Sequence, residues 1–258
     1  MGRDMPLVAE RLQRAFGPRR VVDGVTVSLE HGEVVGLLGR NGAGKSTSFQ
    51  MLAGFLAPDA GRILLDGADV TNKPSYERAR LGLTYLPQER SVFLKLTARE
   101  NILLPLEERG VAKRNRFARA DALLDEFGLA RSGNLKAWAL SGGEARKLEV
   151  ARALALDPQY ILLDEPFAGM DPLHVAELQQ VIGRLRSKRI GVLLSDHNVL
   201  YAFEVIDRGY IIDNGRVLVE GAPLELAYDD RARRAFLGEE FRLPPALAGR
   251  RPSPGTTL

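Results

Sequence analysis

The sequence predicts an α/β protein built on a mainly parallel β-sheet, and three observations lead to that class. The apolar run Val34–Leu38 runs into a glycine-rich loop, and the stretch 45–55 that follows reads as a helix, which is a strand–loop–helix succession. Further on, Tyr160–Asp164 and 191–195 are short apolar runs. They are separated by a segment in which Leu178, Val181, Ile182 and Leu185 recur at helical spacing. A strand, an amphipathic helix and a second strand make a parallel βαβ unit. Between about residues 90 and 158 the β-rich texture gives way to charged helical segments such as 114–127 and 144–156, so a helical insert interrupts the α/β body.

The remaining elements follow in order. Residues 7–30 read as short strands, with Val21, Val22 and the partly alternating run Val25, Thr26, Val27, Ser28, Leu29 supplying β-branched positions. Residues 61–67 read as a strand bounded by Gly61 and Gly67. Residues 209–219 read as a hairpin turning at Asn214-Gly215. From residue 244 to 258 the chain is rich in proline and glycine and loses its apolar period. That tail is expected to be poorly ordered, leaving one working domain at 5–243. No internal repeat is visible.

Composition narrows the function classes. The chain has 258 residues, 45% of them hydrophobic and 27% charged, which suits a folded domain with a sizeable core. Its net charge of +3, from 36 basic and 33 acidic residues, is too mild to argue for nucleic-acid binding. There are no cysteines, so disulfides and thiolate metal sites are excluded. Residues 1–20 carry no apolar core of signal-peptide length, and no stretch approaches 18 uninterrupted apolar residues. A membrane contact is therefore expected only through a partner.

Two motifs carry chemistry. Gly39, Arg40, Asn41, Gly42, Ala43, Gly44, Lys45 and Ser46 fit G-x-x-x-x-G-K-[ST] between the strand and helix just described. Glycines let the backbone curl so that several N–H groups face one anion, and the helix N-terminus adds partial positive charge. In this motif Lys45 reaches the β- and γ-phosphates of ATP, Ser46 ligates Mg²⁺, and Thr47 supports the α-phosphate side. The second motif is the apolar strand Tyr160–Asp164, which ends in Asp164 followed by Glu165. Ligand chemistry collects at the C-terminal ends of parallel strands. Asp164 is thereby expected to hold Mg²⁺ and Glu165 to act as the base toward the attacking water.

Leu140-Ser141-Gly142-Gly143-Glu144 stands between these motifs. Phosphate loop, then this signature, then acidic strand is the order found in the ATP-binding cassette (ABC) family, which the chain resembles over nearly its whole length. Ser141 with Glu144 also reads as a capping box. The family usually has Gln where Glu144 stands, and many members have Arg where Lys147 stands. The resemblance implies the P-loop ABC ATPase fold, with a mainly parallel core, an antiparallel β subdomain and an inserted helical subdomain. It implies that Ser141, Gly142 and Gly143 touch the γ-phosphate bound by a second copy. Gln88 corresponds to the family's glutamine at Mg²⁺ and the attacking water, and His197 to its switch histidine at the γ-phosphate. Phe16 corresponds to the aromatic ring stacked on adenine, where relatives often have Tyr, and Asp171 to an acidic position in the loop that crosses the dimer interface.

Within the family, the runs at 85–89, 93–101, 164–169 and 195–199 and the ending Leu237-Gly238-Glu239-Glu240-Phe241-Arg242-Leu243 are similar to ATPases of lipopolysaccharide export. ATPases of branched-chain amino-acid importers share much of this pattern and stand as the alternative. The resemblance implies a homodimer, peripheral on the cytoplasmic face of the inner membrane, beneath two integral membrane subunits. Those subunits would dock in a groove near Phe93, Leu94 and Lys95. The bland reading of Phe93 is core packing. Three rivals are a soluble P-loop kinase, a regulatory subunit that only binds nucleotide, and a nucleic-acid factor. The signature, the pairing of Glu165 with His197, and the single cassette with mild charge argue against them in turn.

Overall fold

A computed structural model describes residues 5–243; the expectation for 244–258 falls outside them. Along the chain run β1 (Leu7–Phe16), β2 (Arg19–Leu29), β3 (Val34–Leu38), α1 (Lys45–Ala53), β4 (Ala60–Leu65), β5 (Ala68–Asp69), α2 (Ser75–Arg80) and β6 (Leu83–Leu86). Three helices follow, α3 (Ala98–Glu108), α4 (Lys113–Glu126) and α5 (Gly142–Leu154). The chain continues through β7 (Tyr160–Asp164), α6 (Pro172–Ser187), β8 (Gly191–Asp196), α7 (Val199–Phe203), β9 (Arg208–Asp213), β10 (Arg216–Gly221), α8 (Pro223–Tyr228) and α9 (Asp230–Ala232).

Two sheets form. One has strand order β2-β1-β4-β5 and is antiparallel; the other has order β10-β9-β3-β8-β7-β6. In the second, β9, β3, β8, β7 and β6 pair in parallel, and only β10 is antiparallel. Its central strands are buried on both faces. Val35, Leu37, Leu162 and Leu193 face the antiparallel sheet and α1, while Val34, Leu38, Ile161, Leu163, Val192 and Leu194 face the helices of the other layer. Burial on both faces is why these strands read as unbroken apolar runs.

Local sequence explains the boundaries. Helix α6 starts at Asp171, whose side chain accepts from the backbone N–H groups of Leu173 and His174, with Pro172 in the first turn. It buries Val175, Leu178, Val181, Ile182 and Leu185 as one face. Asn214 and Gly215 both have positive φ, 47° and 77°, the requirement of a tight two-residue hairpin turn between β9 and β10. Helix α1 stops two residues before the expected end, because Gly54 takes φ 82° and closes the helix.

The fold departs from the sequence reading in three places. The short strands expected in 7–30 are two strands of 10 and 11 residues; register shifts along their pairing interrupt the alternation that would have marked them as continuous. Strand β6 has only four residues. Helix α3, which the sequence reading did not assign, carries Pro105 in its interior and starts at a capping box between Thr97 and Glu100.

Arg78, on α2, is 1% exposed. It donates to the carbonyls of Met51 and Leu52 at 2.7 and 2.6 Å, of Lys73 at 2.8 Å and of Thr71 at 2.9 Å. A cation thus closes the C-terminus of the phosphate-loop helix. Burial brings its pKa down to about 10. Arg78→Met leaves these carbonyls unpaired and is expected to lower unfolding stability by about 3 kcal/mol, measured by urea denaturation against Lys73→Met, which is expected to change little.

Candidate nucleotide site

The phosphate loop bridges β3 and α1. Gly39 is confined to glycine by its surroundings, since a Cβ there would lie 2.2 Å from the Ile212 carbonyl oxygen. Gly44 has φ 108° and would place a Cβ 2.7 Å from the Val21 carbonyl oxygen. As the residue before α1, Gly44 offers no side-chain cap, so the first-turn N–H groups are left for an anion. Lys45 is buried and donates to the carbonyls of Gly39 at 2.8 Å and Arg40 at 3.0 Å. Burial draws its pKa below the usual lysine range, opposed by the carboxylates of Glu165, Asp164 and Asp196.

The acidic pair lies at the adjoining strand end. Asp164 is buried, accepting from the Ser195 hydroxyl at 2.5 Å and from the Tyr85 hydroxyl at 3.1 Å. Burial, reinforced by Asp164, holds the Tyr85 phenol far above its ordinary pKa, in keeping with the hydrogen bond that its hydroxyl donates to Asp164. Glu165 takes a positive φ of 44°, and its N–H donates to Ser195 Oγ at 3.1 Å. Its Oε2 accepts from Gln88 Nε2 at 3.0 Å and lies 3.3 Å from His197 Nδ1. Asp196 accepts from the N–H groups of Phe167 and Asn198 at 3.1 and 2.7 Å, and burial pushes its pKa upward against those bonds.

An open groove of about 500 Å³ gathers Phe16, Asn41, Gly42, Gly44, Lys45, Ser46, Thr47, Gln88 and Glu165. Phe16 is half-exposed at the end of β1, with the Arg14 guanidinium 5.1 Å from its ring. Most of the loop, Phe16, Gln88 and Glu165 thus meet in this groove, while Gly39, Arg40, Ala43, Asp164 and His197 do not line it; Asp164 precedes Glu165 in the chain and His197 reaches the Glu165 carboxylate. Ser141, Gly142 and Gly143 do not line this groove. Ser141 caps α5, accepting from Glu144 N at 3.2 Å, while Glu144 accepts from Ser141 N at 3.0 Å. Gly142 and Gly143 line a second cavity of about 290 Å³, which shares Gln88 and Glu165 with the first and includes Asp171 and His174. Three residues that hold the site together received no role from sequence: Tyr85, Ser195 and Asp196. Each sits beside a residue that did, within Tyr85-Leu86-Pro87-Gln88 or Ser195-Asp196-His197, and only burial reveals their partners.

The groove's donor set fits Mg-ATP. It combines uncapped helix N–H groups, a buried ammonium, the exposed Ser46 hydroxyl and the Glu165 carboxylate, with the buried Asp164 carboxylate next to Glu165 in the chain. Among the described residues no cluster of three or more His, Cys, Asp or Glu could hold a metal alone. One hydroxyl and one carboxylate suit Mg²⁺, which keeps most of its ligands as phosphate oxygens and water.

Phe93 is exposed at the surface, as is Leu94, so the core-packing reading of Phe93 is wrong. The reason is local. Asn101 ties down the Phe93 backbone N–H and carbonyl, and Arg152 lies 5.4 Å from the ring, holding it on the outside.

Known proteins agree with this geometry. The family model described as ABC transporter matches residues 22–168. The chain is 43% identical to "Lipopolysaccharide export system ATP-binding protein LptB" of Haemophilus influenzae, covering 92% of this chain and 99% of that one. It is 47% identical to the LptB of Acidithiobacillus ferridurans, over 92% and 98%, and 49% identical to a probable ABC transporter ATP-binding protein of Azorhizobium caulinodans, over 92% and 84%. A crystal structure of an ATP-binding cassette of an ABC transporter in its ADP conformation superposes with a TM-score of 0.81 at 28% identity, covering 91% of this chain and all of that one. These likenesses do not favour the branched-chain amino-acid importer alternative. The parallel core beside an antiparallel sheet, the phosphate loop at its edge and these relatives together establish that the chain belongs to the ABC transporter family, as an ATP-binding and ATP-hydrolysing subunit.

Proposed function

We propose that this chain drives lipopolysaccharide extraction from the inner membrane toward the outer membrane, working as a homodimer beneath two LptF/LptG-like membrane subunits. The catalytic part is carried by one observation: Gln88 and His197 converge on the same oxygen of Glu165 at the edge of the phosphate-loop groove. The export part is supported by the likeness to LptB over almost its full length in two organisms. No helix of the described residues is long and apolar enough to cross a membrane. Placement on the cytoplasmic face of the inner membrane therefore follows from the proposed partners. The exposed Phe93 and Leu94 belong to the surface on which those partners dock.

The residues divide the work. The α1 N-terminus and Lys45 bind the β- and γ-phosphates, and Thr47 supports the α-phosphate. Phe16 stacks on adenine. Ser46, Asp164 and Gln88 hold Mg²⁺, which when bound offsets charge that develops on the transferred phosphoryl group. Ser195 and Tyr85 fix the Asp164 carboxylate by donating to its two oxygens. With Oε2 of Glu165 held by Gln88 and His197, the other oxygen takes the proton of the attacking water. His197 and the signature residues Ser141–Gly143 of the second copy complete the γ-phosphate contacts. Loss of those contacts after hydrolysis lets the dimer open. Residues 5–243, with the helices between about 90 and 158, form the moving unit.

Glu165→Gln keeps the hydrogen-bonding shape and removes the base. It is expected to bind ATP, accumulate as a closed dimer and lose at least about 100-fold in turnover, read by phosphate release; near-normal turnover excludes Glu165 as the base. Lys45→Ala removes the buried ammonium and is expected to weaken ATP binding at least about tenfold, measured by titration calorimetry. Affinity purification of tagged Glu165→Gln from native membranes with ATP is expected to bring down two membrane proteins with lipopolysaccharide. Recovery of a periplasmic amino-acid-binding protein instead identifies an importer and leaves the ATPase chemistry intact.

A further inference from the structure

His174 belongs to none of the motifs above, yet it touches one of them. It lies on the first turn of α6. Oδ1 of Asp171 accepts from the N–H groups of Leu173 and His174, at 3.0 and 3.1 Å, and Oδ2 meets His174 Nδ1 at 2.5 Å. One carboxylate therefore caps the helix and fixes the orientation of the imidazole ring. The far edge of that ring lies on the signature turn. A Cβ built on Gly143 would sit 2.0 Å from His174 Cδ2 and 2.6 Å from its Nε2.

Gly143 does not have a left-handed φ, so its backbone would accept any residue. The imidazole ring occupies the space that a side chain at 143 would take, so a larger residue there would have to push the ring off Asp171. Gly142 next to it is different, since a Cβ there would come no closer than 3.4 Å to an Arg90 nitrogen. A second tie joins the same two helices one turn further along, where Lys147 Nζ meets Glu177 Oε2 at 2.8 Å.

We propose that His174 is a positioning residue for the ATPase reaction. Held by Asp171, it sets where the N-terminus of α5 presents the Ser141–Gly143 groups to the ATP bound by a second copy. This rests on the dimeric ABC reading. Asp171 follows Glu165 by six positions in the chain. The ring therefore ties the signature turn, which serves the partner's nucleotide, to the loop that leaves this chain's own catalytic base. It acts through Gly143 and does not touch the reacting atoms.

The test uses the full chain. His174→Ala is expected to leave single-chain ATP affinity and the melting temperature unchanged while kcat falls about tenfold to a hundredfold, the usual scale for loss of alignment. In the Glu165→Gln background the same change is expected to weaken ATP-driven dimerisation, read by light scattering. Gly143→Ala is expected to abolish that dimerisation when His174 is present and to recover much of it in combination with His174→Ala, because the added methyl then has room. Wild-type kcat and dimerisation in His174→Ala overturn the proposal, as does a Gly143→Ala defect of equal size with and without His174. If the wild-type chain itself neither hydrolyses ATP nor dimerises with it, the dimeric ABC reading fails first; a normal wild type with an indifferent His174 removes this proposal alone.

Discussion

The parallel alignment of β3, β8, β7 and β6 is the constraint on which the site depends. Register pairs Leu38 with Asp196, Asp164 with Ser195 and Leu86 with Leu163, so these strands end along one edge. Each then delivers a different chemical group: the phosphate loop after β3, the acidic pair at the end of β7, Ser195 to His197 at the end of β8, and Gln88 just after β6. Parallel strands make this possible because the chain leaves every strand on the same side. A shift of one residue in any pairing would exchange the two packed faces of a strand and displace the groups at its end.

That edge is held by polar groups with little exposure to water. Ser195 joins Asp164 to the backbone of Glu165, and Asp196 holds the N–H groups of Phe167 and Asn198. Leaving any of these groups unpaired would be expensive in an environment of low dielectric. Positive φ at Glu165 costs backbone energy, and it is sustained because Ser195 anchors the N–H while Gln88 and His197 hold the carboxylate. The same network that stabilises the strand ends therefore orients the Glu165 carboxylate.

The two cavities suit the proposed dimer. Gln88 and Glu165 line both, while the phosphate loop and the signature turn are each found in only one. In a single chain the two cavities therefore meet at Gln88 and Glu165. The signature turn is braced from behind by α6 through His174 and Glu177, so its position follows the loop that begins at Glu165.

By itself the sequence determined the parallel α/β class, the phosphate loop, the acidic strand end, the α6 face and the Asn214-Gly215 turn, because each is written in contiguous residues with a period or spacing that local sterics enforce. Motif likeness added Gln88, His197 and Phe16, whose types alone say little. Tertiary structure alone decided that Tyr85 and Ser195 serve Asp164, that Arg78 closes α1, that Phe93 lies outside the core, and that the His174 ring packs against Gly143. Apart from the local Asn101 tie at Phe93, these contacts join residues from about 30 to 80 positions apart. Nothing in the local pattern of either partner marks the other, so only the packing that brings two strand ends or two helix starts together can specify them.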